Sequence, residues 1–326
     1  MPAHRAAGSS ASAIGAAIDV GSNSVHCLVA RVVSGRLHPL IDRSDLLGLG
    51  DVVDRDQVLP PASVDALIGS LTAFTGLAAE AGAARLVVLG TEPLRRATNR
   101  DAVASAVEAA TRQQMVILSH QEEAYLTLLG VAAEVDAAGS LLVVDVGGGS
   151  SEYLVTVPSG LPTAAALSTG SMRLTRHFVA HDPPLRSEYE LMLGEARRLV
   201  RETQAADPDA AVFVGGTASN LLKVGERPPS NRRLDAGRLS EALTVLLAEP
   251  AARAATRHAI HERRARLLPG GIAIVQAFME RYGLPDVLVS EASLRDGAIL
   301  ALHRAGAAWR MRLPELVSGE AAWSVG

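Results

Sequence analysis

Leu141-Leu-Val-Val-Asp-Val-Gly-Gly-Gly-Ser-Ser151 runs from a wholly apolar stretch, through one aspartate, into a turn made only of glycine and serine. The apolar run reads as a buried strand, and Tyr153 to Val157 reads as the strand returning from the turn. The same plan occurs once before. Ala16-Ala-Ile-Asp-Val-Gly-Ser-Asn-Ser24 is an apolar strand closed by Asp19, with a small polar turn and a returning strand from Val25 to Val33. Asp19 and Asp145 are 126 residues apart, which is domain spacing and far beyond the period of a stacked repeat. Two copies of one hairpin at that separation point to a duplicated domain.

Between and after the hairpins, strands and helices alternate. Pro61 to Ala81 has helical apolar spacing and Arg85 to Leu89 is a buried-strand run. A helix capped by Asn99 or Asp101 extends to about Gln113, Met115 to Leu118 is a strand, and Glu122 to Val135 is a helix. Further helices are expected at Ser187 to Ala205, across most of Asp235 to His261, around Gly270 to Tyr282 after a Pro269-Gly-Gly turn, and at Leu294 to Ala305. Strands are expected at Ala211 to Val214 and Val287 to Ser290. Such alternation places the chain among α/β folds. The expected division is a tail over 1–14, a first domain over 15–134 with a C-terminal helix at about 301–313, a second domain over 135–300, and a tail over 314–326.

The 326 residues suffice for two such domains. With 48% hydrophobic residues and no uninterrupted apolar run of about 18, the composition fits neither a disordered nor a membrane-spanning chain. The first residues lack a signal-peptide core, so a cytoplasmic protein is expected. Cys27 is the only cysteine, which excludes internal disulfides and cysteine-rich zinc sites. The net charge of −4 gives no general attraction to nucleic acid, so a polyanionic ligand must be met by a local site. Lys223 is the only lysine among 31 basic residues, a bias that accords with a GC-rich genome.

Each hairpin turn is suited to phosphate. Small residues let successive backbone N–H groups approach an anion, and the aspartate closing each strand is placed to hold a hydrated divalent cation. Gly215-Gly-Thr217 forms a third small turn that opens a helix, where unsatisfied N–H groups also favour anions. Nine histidines show no metal-ligand spacing in the sequence.

Asp19-Val-Gly-Ser-Asn-Ser24, Thr91-Glu-Pro-Leu-Arg-Arg-Ala-Thr-Asn99, Glu122-Glu-Ala124, Asp145-Val-Gly-Gly-Gly-Ser-Ser-Glu152 and Ser171-Met-Arg-Leu-Thr175 occur in that order. The ordered set resembles the Ppx/GppA family of exopolyphosphatases and guanosine pentaphosphate phosphohydrolases, over about Ala16 to Leu300. The resemblance implies an actin-like fold, of the sugar kinase, heat-shock chaperone ATPase and actin type, with duplicated domains and an active site between them. It also implies hydrolysis of the terminal phosphoanhydride of polyphosphate or guanosine pentaphosphate with Mg²⁺ or Mn²⁺. A homodimer is compatible with it, though no interface is readable.

Residue by residue, the resemblance implies Glu123 as general base, and Glu152 as an acid at the metal and attacking water. Asp145 and Asp19 are the other metal positions. Phosphate contacts fall to Gly21, Ser22, Asn23 and Ser24 in the first turn and to Gly147, Gly148, Gly149, Ser150 and Ser151 in the second. Arg95, Arg173, Gly215, Gly216 and Thr217 complete the set. Glu122 and Arg96 are expected to face solvent. The chain departs from the pattern at His26, where arginine is common, at His120-Gln121, where a glycine often stands, and at Arg266, where an acid is expected. Two other readings keep the fold: an ATP-dependent kinase acting on sugars, and a sensor that binds guanosine polyphosphates without turnover.

Overall fold

The computed structural model describes residues 13–135, 139–157, 160–226 and 230–318. The first unit contains β1 (Ala13–Val20), β2 (Val25–Val33), β3 (Arg36–Asp45), α1 (Leu49–Asp56), α2 (Pro61–Glu80), β4 (Arg85–Gly90), α3 (Glu92–Arg96), α4 (Arg100–Thr111), β5 (Met115–Ile117) and α5 (His120–Glu134). The second contains β6 (Leu141–Val146), β7 (Ser151–Val155), β8 (Thr163–Leu167), α6 (Ser171–Phe178), α7 (Arg186–Arg201), β9 (Ala210–Val214), α8 (Gly215–Leu221), β10 (Arg233–Asp235), α9 (Ala236–Ala248), α10 (Ala251–His258), α11 (Glu262–Tyr282) and β11 (Asp286–Val289). Helices α12 (Leu294–Ala305) and α13 (Trp309–Val317) close the chain.

The two sheets have the same plan. The first runs β3-β2-β1-β4-β5, with the three hairpin strands antiparallel and β4 and β5 parallel to β1. The second runs β8-β7-β6-β9-β11 with the same directions, and adds β10 antiparallel at its edge. Repetition of strand order and direction establishes the duplicated, actin-like α/β architecture. In each copy β1 or β6 is flanked on both sides, which explains why both read as continuous apolar runs.

Three apolar clusters follow from this layering. Helices α2 and α4 cover one face of the first sheet, burying Leu67, Leu71, Phe74, Val103 and Val107 against Ile18, Val29 and Val88. Helix α2 is long and apolar enough on average to cross a membrane, yet its Leu67, Leu71, Phe74 and Ala78 stripe is buried in this core. Helices α7 and α9 to α11 cover the second sheet around Phe213 and Phe278. Between the sheets lie α5, α12 and α13, whose Leu126, Leu129, Ile299 and Leu313 meet Ala17 and Leu89 of one sheet and Val143 and Val212 of the other.

Helix α12 packs on α5 and β1, and α13 continues through Val317, a segment the sequence presents as tail. The Pro269-Gly-Gly segment is not a turn but the interior of α11, which starts at Glu262. A proline inside a helix costs about 3 kcal/mol. Burial of Leu268, Ile272, Ala273, Val275 and Phe278 along the same helix offsets that cost.

Candidate functional site

The two turns open onto one crevice between the domains. Asp19, Gly21, Ser22, Asn23 and Ser24 line one wall, and Asp145, Gly147, Gly148, Gly149 and Ser150 line the other. Glu123, Glu152 and Gly215, Gly216 and Thr217 border the same space. Backbone bonds from Gly50 N to Ser22 O (2.8 Å) and Gly48 N to Asn23 O (3.0 Å) hold the first turn. In the second, the carbonyls of Gly147 and Gly148 accept from Ser171 N (2.9 Å) and Met172 N (3.0 Å), so α6 is docked on the turn. The N–H groups of Ser22, Asn23 and Ser24, and of Gly147 to Ser150, donate to no protein acceptor among the described residues. Two rows of free donors therefore face a common space, as an anion-binding site requires.

Glu123 reaches the crevice because of how α5 starts. Ser119 Oγ accepts from Glu122 N (3.2 Å) and the Glu122 carboxylate accepts from Ser119 N (2.8 Å), a reciprocal cap. Arg310 also binds Glu122, so this residue is structural rather than solvent-facing. Glu123, about 100° further round the helix, turns inward and is buried. Arg95 Nη1 donates to Glu123 Oε2 at 2.6 Å, and Arg95 Nη2 lies 3.4 Å from Glu152 Oε1. Ser150 Oγ donates to the same Glu152 oxygen at 2.8 Å.

Burial, and then neighbouring carboxylates, raise the pKa values of Asp19, Asp145 and Glu123. Burial, then Glu152 and Asp19, push Asp145 up to about 7. Burial pushes Asp19 up to about 6, against the opposing pull of Arg295. Burial and Glu152 raise Glu123 well above the ordinary range, with Arg95 opposing. Among the described residues, Asp19 Oδ1 and Asn23 Oδ1 are buried oxygens without a hydrogen-bond partner. An all-oxygen, acid-rich corner with orphaned acceptors suits a hard divalent cation. Gly215 borders it at φ 83°, where any side chain is strained and a Cβ would run into Asp145.

Three of the sequence's candidates are placed elsewhere. Ser151 is fully buried and its Oγ donates to Thr169 O at 2.9 Å, so it holds β7 rather than facing the crevice. Arg173 donates to Glu92 Oε1 at 2.6 Å and to Ser168 O at 2.7 Å, away from the lining. Arg95 stands behind Glu123 and Glu152 instead of at the turns. Arg96, expected in solvent, pairs with Asp54 (2.5 Å) and Glu92 (2.8 Å).

Several lining residues escaped the sequence reading. Glu92 is buried and gathers Ser22 Oγ (2.6 Å), Arg96 and Arg173, linking the first turn to α6 of the other domain. Its place within Thr91-Glu-Pro was the available signal. Arg264 and Arg295 bring positive charge into the crevice. Arg295 pairs with Asp42 at 3.0 Å, whereas Arg264 has no carboxylate partner among the described residues, and burial lowers its pKa. Only tertiary structure brings α11 and α12 to the turns.

His26 also lines the crevice, with Nε2 2.6 Å from Ser24 Oγ. Burial, then Arg295 and Arg264, hold its pKa down at about 3. A base whose folded pKa lies below its unfolded value near 6.5 costs stability as pH falls between those values. Lowering the pH from 7 to 5 should therefore cost about 2 kcal/mol through His26 alone. The buried carboxylates act in the opposite sense, so the comparison of native protein with His26→Gln in denaturant titrations isolates the effect. The variant should lose less stability over this interval; equal losses would contradict the assignment.

The profile of the Ppx/GppA phosphatase family matches residues 28–304. Exopolyphosphatase 1 of Mycobacterium tuberculosis is 30% identical over 298 residues, covering 87% of this chain and 86% of its own. A guanosine-5'-triphosphate,3'-diphosphate pyrophosphatase of Aeromonas hydrophila is 28% identical over 88% of this chain and 59% of its own. The crystal structure of the Aquifex aeolicus Ppx/GppA family member superposes with a TM-score of 0.77 at 25% identity, covering 89% of this chain and 97% of that one.

Proposed function

Since the chain belongs to the Ppx/GppA phosphatase family, we propose that it hydrolyses the terminal phosphoanhydride of inorganic polyphosphate or guanosine pentaphosphate and releases orthophosphate. One observation carries this reading: two rows of unpaired N–H donors and the buried Glu123 border a single crevice.

The phosphate chain lies between the turns, its oxygens taking the N–H groups of Ser22 to Ser24 and of Gly147 to Ser150. Arg264 and Arg295 balance its charge from the α11 and α12 side. Glu123 orients a water in line with the end phosphorus and takes its proton. The low polarity that raises the Glu123 pKa makes it a stronger proton acceptor once ionised, and Arg95 steadies the ionised form. Glu152, held by Ser150, orients the same water. Asp19, Asp145 and Glu152 are the residues that would hold Mg²⁺ or Mn²⁺, to which the orphaned Asp19 and Asn23 oxygens are suited. When bound, such an ion neutralises charge on the phosphate oxygens.

A phosphate-release profile is the test. Purified protein with Mg²⁺ is given polyphosphates of graded length, guanosine pentaphosphate, and ATP with and without sugars. Orthophosphate released without an acceptor is expected. ADP formed only when a sugar is present would replace the proposal with a kinase, and tight nucleotide binding without product would replace it with a sensor.

A further inference from the structure

At the rim of the crevice, His120 brings an imidazole to two of these carboxylates. Its Nδ1 lies 2.8 Å from Glu152 Oε1 and 3.0 Å from Arg95 Nη2. One ligand atom each from His120, Glu123 and Glu152 all lie within 4.8 Å of one another. Both glutamates are buried, while the histidine side chain is 44% exposed at the first position of α5.

One ring nitrogen cannot satisfy both of its neighbours. Protonated, Nδ1 donates to Glu152 but has no lone pair left to accept from Arg95. Unprotonated, it accepts from Arg95 but sets its lone pair against the Glu152 oxygen. A divalent cation in the triangle would use the Nδ1 lone pair and both carboxylates together, taking over the positive charge that Arg95 now supplies. Imidazole with two carboxylates is a donor set suited to Zn²⁺, commonly three protein ligands with a fourth position open. Bonds of about 2.0–2.2 Å to a tetrahedral ion set the ligand atoms roughly 3.4 Å apart, so binding requires these side chains to shift. The neighbouring Asp19, Asn23 and Asp145 offer only oxygen, so nitrogen distinguishes the two places.

We propose that His120, Glu123 and Glu152 form a transition-metal site that takes Zn²⁺ in the substrate-free protein, with Arg95 turned out of the triangle. Zn²⁺ there occupies Glu123 and blocks hydrolysis. That consequence rests on the function proposed above, whereas the binding does not.

Calorimetric titration of the metal-free full chain with Zn²⁺ tests the binding, and Co²⁺ serves as a spectroscopic substitute. One high-affinity site per chain is expected, with the intense visible absorption of four-coordinate Co²⁺. His120→Gly should weaken Zn²⁺ binding by more than the 10–100-fold typical of losing a group that only supports a ligand. Because His120 only supports Glu152 at the all-oxygen place, the same substitution should weaken Mg²⁺ binding by no more than that 10–100-fold, and the variant should still unfold cooperatively. Zn²⁺ affinity equal in native and variant protein, or no Co²⁺ absorption, overturns the proposal. Phosphate release should be Zn²⁺-sensitive in the native protein and insensitive in His120→Gly. Zinc bound through His120 without inhibition would keep the site and remove Glu123 from the hydrolytic step.

Discussion

Glu123→Gln is expected to lower phosphate release by about 10²–10⁴-fold, the usual contribution of a general base, while substrate affinity holds or rises. The substitution preserves shape and keeps an oxygen that can accept from Arg95 at the position now 2.6 Å from Nη1. It removes the ability to take a proton from water. It also removes a negative charge beside a polyanion, so binding of a nonhydrolysable phosphate chain should not weaken. Loss confined to kcat is the signature of an interaction made in the transition state. Native-like turnover in Glu123→Gln would exclude the residue from the mechanism.

Gly297→Ala is expected to destabilise the protein by about 3 kcal/mol, the upper end for overpacking a core. Helices α5 and α12 meet backbone to backbone. A Cβ on Gly297 would overlap the carbonyl oxygen of Leu126, and one on Gly130 would lie 2.6 Å from Ser293 O. No rotamer change relieves a clash with backbone, so the helices must separate. Because α5 carries Glu123 and α12 carries Arg295, the residual activity of folded protein should fall as well. Gly76→Ala is the contrasting case. Beyond its chain neighbours and the local helix backbone, nothing among the described residues lies within 4 Å of its added Cβ on the outer face of α2, and stability should rise by about 0.5–1 kcal/mol. Thermal unfolding of both variants decides the point: a native-like melting temperature in Gly297→Ala would show that α5 and α12 can be moved apart freely.

The hairpins, the duplication and most long elements were readable because their signals are local. An apolar run through Asp145 into five small residues, Gly147 to Ser151, needs no tertiary information to be recognised. Short elements such as α1, α3 and α6 were not readable, since five to eight residues give too little periodicity. Helix α11 runs through Pro269 because burial on its apolar face outweighs a local breaker, a balance that sequence alone does not weigh.

At the site, residues in the turns were legible by type and spacing, but orientation was not. Ser150 and Ser151 are neighbours of one kind, yet alternation along β7 sends Ser151 into the interior. The same limit hid Arg264 and Arg295, which lie far along the chain from either turn. It also hid the approach of His120 to Glu152, a pair that only the folding of β7 beneath α5 creates.

In the proposed binding mode both turns grip one phosphate chain whose end faces Glu123. A crystal structure with a nonhydrolysable imido-linked polyphosphate measures this directly. Density is expected between Ser22–Ser24 and Gly147–Ser150, with the terminal phosphorus nearest Glu123. A chain bound outside the crevice, or touching one turn alone, would contradict it.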